Sequence, residues 1–263
     1  MAGRYRAAEP ACLIGQVEGG RSCCANLSPM VVGIVGGTGP LGVGLGLRLA
    51  AAGSSVVIGS RDPARASEVV AEALAPWQDR ELKVRGVANH EAAKGDVVVV
   101  ATPWEAVVKT VAPFADDLAG GLVISVGNAL VKEGREFQAI SPPRGSVAAL
   151  LQATLPRSRV VAACHHLPAR ELKDLDAVMD SDVLVCSDDP DDADAAIGML
   201  SSIQGLRPLF AGSLASAAAI EAFTAVLVTL NLQYKAHTTL KIAGIDDAKY
   251  GARFAKKSSG SDE

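Results

Sequence analysis

The sequence predicts an α/β fold in which helices cover both faces of a doubly wound parallel sheet, extended by a smaller C-terminal strand and helix region. Short apolar runs alternate with helix-like segments from Met30 onward. The runs at residues 97–101 and 122–126 are almost wholly apolar, which is typical of parallel strands buried on both faces. Residues 33–46, which begin within the first apolar run after Met30, hold seven of the 26 glycines and suit a tight strand-to-helix connection.

The first half of the chain follows this alternation closely. Residues 31–35 form the first predicted strand, and residues 40–52 form a helix because leucines recur there every four residues. The next helix, residues 63–75, begins with Asp62 as N-cap and Pro63 in the first turn. The other elements predicted here are strands at residues 56–58, 82–87, 97–101 and 122–126 and a helix at residues 103–118.

The second half is less regular. Residues 132–145 are predicted to be irregular because they combine two adjacent prolines with several charges. The acidic run DDPDDAD opens a helix within residues 188–203, and it lacks the glycine and distal glutamate of a calcium loop. We therefore predict a helix cap there rather than a metal site. The other elements predicted here are a helix at residues 147–155, strands at residues 160–164, 183–186 and 206–210, and a long apolar helix at residues 214–240.

Composition restricts the classes of function. The 25 basic and 29 acidic residues give a net charge of −4, which offers no patch for nucleic acid or an anionic membrane. The longest apolar runs are far shorter than the roughly 18–20 residues that cross a bilayer. An odd number of cysteines without a CxxC pair argues against disulfides or zinc; they are Cys12, Cys23, Cys24, Cys164 and Cys186. We expect a cytoplasmic protein with reduced thiols and neither a nucleic-acid nor a membrane partner.

The glycine-rich segment contains the pattern GxGxxG. Its residues are Gly37, Thr38, Gly39, Pro40, Leu41 and Gly42. The pattern follows an apolar strand and precedes a helix, which is the arrangement of a Rossmann-type dinucleotide site. Glycine lets the backbone approach a pyrophosphate, and the free N–H groups at the helix start bind that anion. Tight helix packing without a ligand is the alternative.

The end of the second strand indicates which dinucleotide binds. NAD sites usually carry Asp or Glu about 20 residues after the glycines, where it accepts a hydrogen bond from the ribose 2′-OH. Here the strand ends in Ser60 and Arg61, and Arg65 follows one turn into the next helix. A hydroxyl and two guanidinium groups suit a 2′-phosphate, so we predict NADP(H). The alternative is that Ser60 and Arg61 are solvated loop residues.

Longer stretches of the sequence carry a family resemblance. They are GIVGGTGPLGVGLGLRLAAAG with VVIGSRDPARA, and then VVVVATPWEAV, RVVAACHHLPA, DSDVLVCSDD and GLRPLFAGSLASAAAIEAFTAVLVTLN. Together they resemble the NADPH-dependent reductases of the deazaflavin coenzyme F420, from about residue 30 to about residue 245. The motifs of the second half are far more specific than GxGxxG.

The resemblance implies a function and a set of site residues. The reaction would be reversible hydride transfer between C4 of NADPH and C5 of the deazaflavin ring, without a covalent intermediate. The residues that it places at the two cofactors are Thr38 to Leu41 at the pyrophosphate, Ser60, Arg61 and Arg65 at the 2′-phosphate, Trp104 and Val108 on the nicotinamide side, Ala169 across the cleft and His165 beside the deazaflavin. No catalytic acid, base or nucleophile is implied.

Some of these positions have a second interpretation. Trp104 can equally be a buried contact of its own helix. His165 and His166 would face opposite sides of a strand, so at most one of them reaches the cleft. Residues 127–129 depart from the family, because some members carry a proline-containing apolar segment there that shapes the deazaflavin pocket. Asn128 could supply polar contacts instead.

Other functions remain open on the sequence alone. NADPH could reduce a flavin, a ferric chelate or an imine on the same fold, or the chain could be a non-catalytic NADPH sensor. The alanine-rich final helix suggests a self-association surface, and we expect a homodimer or a larger homo-oligomer.

The predicted domains follow from these signals. Residues 1–29 have no helical or alternating period and lack the apolar stretch of a secretory signal, so we expect a disordered extension. Residues 30–158 form the NADP-binding Rossmann domain, and residues 159–250 form a smaller part that completes the deazaflavin cleft. Residues 251–263 are a loose tail.

Overall fold

The computed structural model describes residues 30–246 and 249–250. The predictions for residues 1–29 and 251–263, including those for the three cysteines before Met30, lie outside the described residues. The described residues up to Leu240 belong to one compact unit. The division at residues 158 and 159 stays a prediction; the strands on either side of it belong to one sheet.

Most of the strands lie in one sheet. All the strands of the described residues are β1 (Val31–Val35), β2 (Ser55–Ser60), β3 (Val84–Ala88), β4 (Val97–Val100), β5 (Leu122–Ser125), β6 (Leu130–Glu133), β7 (Glu136–Ala139), β8 (Arg159–Ala162), β9 (Ser181–Ser187) and β10 (Leu206–Phe210). Within the described residues, eight of them form a sheet in the order β10-β9-β8-β5-β4-β1-β2-β3, and β6 pairs with β7. The α/β, Rossmann-type fold is therefore confirmed.

Helices connect the strands. They are α1 (Pro40–Ala51), α2 (Pro63–Leu74), α3 (Asn89–Ala92), α4 (Val107–Val111), α5 (Val147–Thr154), α6 (Ala169–Leu172), α7 (Pro190–Ser201) and α8 (Ala217–Tyr234). Two predicted caps are confirmed. The Asp62 carboxylate accepts hydrogen bonds from the N–H groups of Ala64 and Arg65, and Asp189 accepts one from Asp191 N–H.

The six neighbouring strands β3, β2, β1, β4, β5 and β8 run parallel, as predicted, but β9 and β10 do not continue that direction. β9 pairs antiparallel with β8, and β10 is parallel to β9. The return to the sheet after β8 passes through the short helix α6 and a turn rather than through a full crossover helix. A parallel neighbour needs a crossover connection, so the shorter path here is consistent with the reversed direction of β9.

Two predictions for local structure are wrong. Residues 103–118 are not one helix, because Pro113 lacks the N–H that a continuous helix requires. Instead 3-10 turns at Trp104–Ala106 and Ala112–Phe114 flank the short α4. Residues 132–145 are not wholly irregular either, since β6 and β7 form an antiparallel hairpin through Gly134, whose φ is +60°.

The long C-terminal helix also corrects the expectation that no apolar stretch is long enough to cross a bilayer. The segment Leu214–Tyr234 has 21 residues and a mean hydropathy of 1.6 in its best window, so by length and composition it is apolar enough to cross a membrane. The core helix of a folded domain meets the same criterion, and 39% of that window is buried in this fold. Its carboxylate, Glu221, is 4% exposed and binds the start of α5.

One buried cation joins the first helix to a distant segment. Arg48 in α1 is 6% exposed, and its guanidinium donates to carbonyl oxygens just after β8 in sequence. The acceptors are Leu172 O at 3.1 Å, Ala177 O at 2.8 Å, Glu171 O at 2.8 Å and Asp174 O. These carbonyls satisfy the charge and hold α6 against α1.

Candidate active site

The GxGxxG loop lies between the end of β1 and the start of α1. Gly36 has a φ of +67°, and a Cβ there would lie 2.2 Å from the Thr102 methyl group. At Gly42 a Cβ would lie 2.5 Å from the carbonyl oxygen of Gly37. Both positions therefore require glycine, one for its backbone angle and the other for the close approach of helix to loop.

Hydrogen bonds from neighbouring elements fix this loop. Gly36 N–H donates to Oδ1 of Asn89 at 3.0 Å, and Gly37 N–H donates to Gly59 O at 3.0 Å. Gly39 is the N-cap of α1 and provides no side-chain cap. The first N–H groups of α1 consequently remain available to an anion. Asn89 could not be identified from the sequence, because its partner lies 53 residues away.

The end of β2 places cations beside this loop. Ser60 is 9% exposed and its Oγ accepts a hydrogen bond from Asp62 N–H at 3.2 Å. Arg61 and Arg65 are exposed, and among the described residues neither side chain has an ion pair. The nearby Asp62 carboxylate is occupied as the cap of α2. Two free guanidinium groups and no free carboxylate therefore face solvent at this position.

A cavity of about 530 Å³ opens at the carboxyl ends of β1, β4 and β5. This size is ordinary for a small-molecule site. It is lined by Gly36, Thr38, Gly39, Pro40, Leu41, Gly42, Arg65, Ala101, Thr102, Pro103, Trp104, Val126, Gly127, Asn128 and Leu130. Among these residues Arg65 carries the one ionisable side chain. The cavity can bind and orient a ligand, but its walls offer no acid or base.

Three polar atoms in the cavity wall are buried and have no hydrogen-bond partner among the described residues. They are Oγ1 of Thr102, Nε1 of Trp104 and Oδ1 of Asn128. Buried polar groups in proteins are almost always hydrogen-bonded, so this set indicates a ligand with donors and acceptors of its own. It also favours the interpretation of Trp104 as a ligand neighbour.

His165 lies behind the cavity wall. It is 3% exposed, and residues 165–166 form a turn after β8 instead of continuing the strand as predicted. Cys164, with a φ of +63°, redirects the chain there. Nδ1 of His165 lies 3.1 Å from Gly127 O. A carbonyl only accepts, so Nδ1 carries the hydrogen in the neutral ring.

Burial determines the charge of this histidine. Burial, with a smaller contribution from the neighbouring His166, lowers the pKa of His165 to about 4 against weaker opposing backbone hydrogen bonds. Burial likewise lowers the pKa of His166, whose Nε2 lies 2.7 Å from Asp182 O. Both rings are neutral at pH 7. The buried thiol of Cys164 has a pKa raised to about 12 by the same cause.

Other predicted residues lie outside the cavity wall. Val108 is 41% exposed on α4, and Ala169 begins α6, which packs on α1. His165 contacts the cavity residues Gly127 and Asn128 without lining the cavity itself. Several residues that were not predicted from the sequence do line it, among them Thr102 and Val126. Their position directly after β4 and β5 was the available signal.

The fold and the phosphate loop define a class, the Rossmann-type dinucleotide-binding proteins. A family model described as NADP oxidoreductase, coenzyme F420-dependent, matches residues 31–129. An F420-dependent NADP reductase of Methanocaldococcus jannaschii is 36% identical over 215 residues, covering 80% of this chain and 96% of that protein. One of Methanothermobacter marburgensis is 33% identical over 209 residues, covering 78% and 93%.

Within this class, the chain belongs to the family of F420-dependent NADP reductases. A solved structure agrees in fold: a putative F420-dependent NADP reductase from Arthrobacter sp. FB24 has a TM-score of 0.68 at 23% identity. The similarity covers 82% of this chain and 100% of that one.

Proposed function

We propose that this protein catalyses reversible hydride transfer between NADPH and coenzyme F420. A hydride leaves C4 of the dihydronicotinamide ring and joins C5 of the deazaflavin, and a proton from solvent completes the reduced coenzyme. The observation that carries the proposal is the family membership, because the chain is 36% identical to an F420-dependent NADP reductase across nearly the whole of that protein. NADP(H) and F420 are both substrates.

The phosphate loop and the end of β2 support NADPH as one substrate. The open N-terminus of α1 can hold the pyrophosphate, contacted by residues from Thr38 to Leu41. Ser60, Arg61 and Arg65 can hold the 2′-phosphate, because a guanidinium group binds a phosphate oxygen pair with two parallel hydrogen bonds. The occupied Asp62 leaves no carboxylate to select a free 2′-hydroxyl.

The composition of the cavity supports a reaction without acid or base catalysis. Hydride transfer between two bound rings needs their approach and orientation and the exclusion of water. The apolar residues Val126 and Leu130, with Trp104, give the cavity one water-excluding side. We propose that Val108 and Ala169 extend the walls once both substrates are bound, and that neutral His165 positions the loop at Gly127.

The test is spectroscopic. Purified protein is mixed with NADPH and F420, and the deazaflavin absorbance near 420 nm is followed. We expect the band to bleach with NADPH and much more slowly with NADH. Binding of NADPH without bleaching would contradict the proposal and favour a sensor. Reduction of a flavin, ferric citrate or an imine in place of F420 would favour the other reductases.

We also propose that the protein self-associates in the cytoplasm through α8. Phe223 and Val226 on this helix are 41% and 50% exposed, and Tyr234 at its end is 73% exposed. An exposed apolar stripe of this kind is typical of a subunit interface. Sedimentation should show a dimer or larger species, and Phe223→Glu should shift it toward monomer. A wild-type monomer would contradict this proposal.

A further inference from the structure

Asn128 lies at the junction between the cavity and the His165 turn. Its Nδ2 donates a hydrogen bond of 2.8 Å to the carbonyl oxygen of His165. The same carbonyl accepts a second hydrogen bond, from Oγ1 of Thr224 at 3.4 Å. Cys164, the residue before His165, has a left-handed backbone with a φ of +63°.

This arrangement decides which end of the amide serves a ligand. A carbonyl can only accept, so the atom that faces His165 must be Nδ2. Oδ1 is left as a buried acceptor in a residue that lines the cavity, and it has no partner among the described residues. A buried acceptor that stays unpaired costs about 1–3 kcal/mol. The site therefore favours a ligand that brings a hydrogen-bond donor to this point.

We propose that Oδ1 of Asn128 accepts a hydrogen bond from the carboxamide N–H of the nicotinamide ring. This inference rests on the proposed function for the identity of the ligand. The carboxamide offers one carbonyl acceptor and an amino donor on the same planar group. Nε1 of Trp104, a donor without a partner in the same wall, complements the carbonyl, and Oδ1 of Asn128 complements the amino group.

The assignment gives the departure at residues 127–129 a role. The Asn128 amide joins the dinucleotide site to the carbonyl of His165, and the His165 ring in turn holds Gly127 O. One side chain thus positions the nicotinamide relative to the turn at the back of the cavity. Asn128 is a specificity-determining residue for the carboxamide rather than for the phosphates.

The experiment compares two ligands that differ in one donor. NADP⁺ carries the carboxamide, and its 3-acetylpyridine analogue has a methyl group in place of the amino group. Dissociation constants are measured by calorimetry for the wild type and for Asn128→Val, which removes the polar atoms at similar size. Asn128→Ala is the second variant, and Gln138→Val on the exposed β7 is the matched control for loss of an amide.

We expect the wild type and Gln138→Val to prefer NADP⁺ over the analogue by roughly five- to tenfold, the worth of one hydrogen bond. Asn128→Val and Asn128→Ala should bind the two ligands within about twofold of each other, because the acceptor that distinguishes them is gone. Binding of 2′,5′-ADP should be unchanged in all four proteins, which shows that the phosphate half is folded.

Two results would overturn the inference. One is an unchanged preference for NADP⁺ over the analogue in both Asn128 variants, whether the two affinities stay the same or fall equally. A purely structural role of Asn128 would give this result. The other is weakened F420 binding with an unchanged preference, which would assign Oδ1 to the imide N–H of the deazaflavin. Failure of F420 to bleach while the preference and its loss are intact would overturn the proposed function alone.

Discussion

The two sides of the cavity are built in different ways. The phosphate side, residues 36–42 and 60–65, uses backbone N–H groups and exposed cations from segments close in sequence. The rear side consists of residues 126–128 and Leu130 in the wall, with residues 164–166, Glu221 and Thr224 outside it, and it uses buried polar groups from segments far apart in the chain. Recognition of charge can thus be local and solvated, whereas recognition of a neutral ring requires buried, mutually oriented groups.

The largest effect is expected from a methyl group on the phosphate side. In Gly42→Ala the Cβ would lie 2.5 Å from Gly37 O and 2.7 Å from Gly37 Cα, and backbone cannot move away cheaply. We expect NADPH affinity to fall by about 100-fold or more, equivalent to ~2.7 kcal/mol. Calorimetry measures it, and Gly198→Ala in α7, with open space around the Cβ, is the control. Unchanged affinity would show that the loop is not rigid.

The next effect concerns Glu221, on the rear side. Glu221 accepts hydrogen bonds from Val147 and Ala148 N–H at 2.8 and 3.1 Å, yet burial raises its pKa to about 7 from 4.5. The folded state therefore binds more protons between these values, and the free energy of unfolding falls as pH rises from about 4.5 through 7.

In Glu221→Gln this fall should disappear, a difference of about 2–3 kcal/mol between the pH profiles of wild type and variant. Urea unfolding from pH 4.5 to 8 measures it. Glu136→Gln, on the exposed hairpin, should keep the wild-type profile. Parallel profiles for Glu221→Gln and the wild type would mean that the buried carboxyl stays ionised throughout.

A third variant tests the charges of the phosphate side. Arg61→Ala should weaken NADPH by roughly 1.5–3 kcal/mol, because it loses a charge-assisted hydrogen bond, and leave NADH nearly unchanged. Fluorescence titration with both nucleotides measures the difference. Arg135→Ala, exposed in the hairpin turn, is the matched control. An equal loss for both nucleotides would place the 2′-phosphate elsewhere.

The smallest effect is expected at His165. Its pKa of about 4 keeps the ring neutral at pH 7. Because this pKa lies below the ordinary value of 6.5, the unfolded chain binds the proton more readily, and the free energy of unfolding falls as pH drops below about 6.5. A general acid or base contributes about 10²–10⁴-fold, whereas a positioning residue contributes less. We expect His165→Gln to lower kcat by less than about tenfold, with an unchanged pH profile of kcat between 6 and 8. His90→Gln, exposed on α3, is the control.

The same contrast explains what the sequence could predict. The bounds of β1 and β10, the caps Asp62 and Asp189 and the loop around Gly37 all depend on neighbours a few residues away. Such signals are legible in a single sequence. The local structure of the loop and of these caps was therefore predictable from the sequence, and the assignment of these residues to NADP(H) stays a proposal.

The other features depend on distant partners. In the sequence, Glu221 is one acid in an apolar helix, and only the fold shows that its carboxylate accepts a hydrogen bond from Val147 N–H, 74 residues away. The turn at His165 depends on the positive φ of Cys164, and a cysteine in the sequence does not indicate such a backbone angle. The hairpin of β6 and β7 was hidden because most of its residues are exposed, so its alternation has no apolar face.

Arg48 has a consequence for how the chain reaches this structure. Its guanidinium donates to Ala177 O and Leu172 O, which lie 129 and 124 residues further along. Closing a loop of that length costs entropy before its contacts form. A nascent chain that ends before residue 171 would leave α1 with an uncompensated cation on its inner face. The nucleotide-binding half therefore completes its packing only after most of the chain has been synthesised.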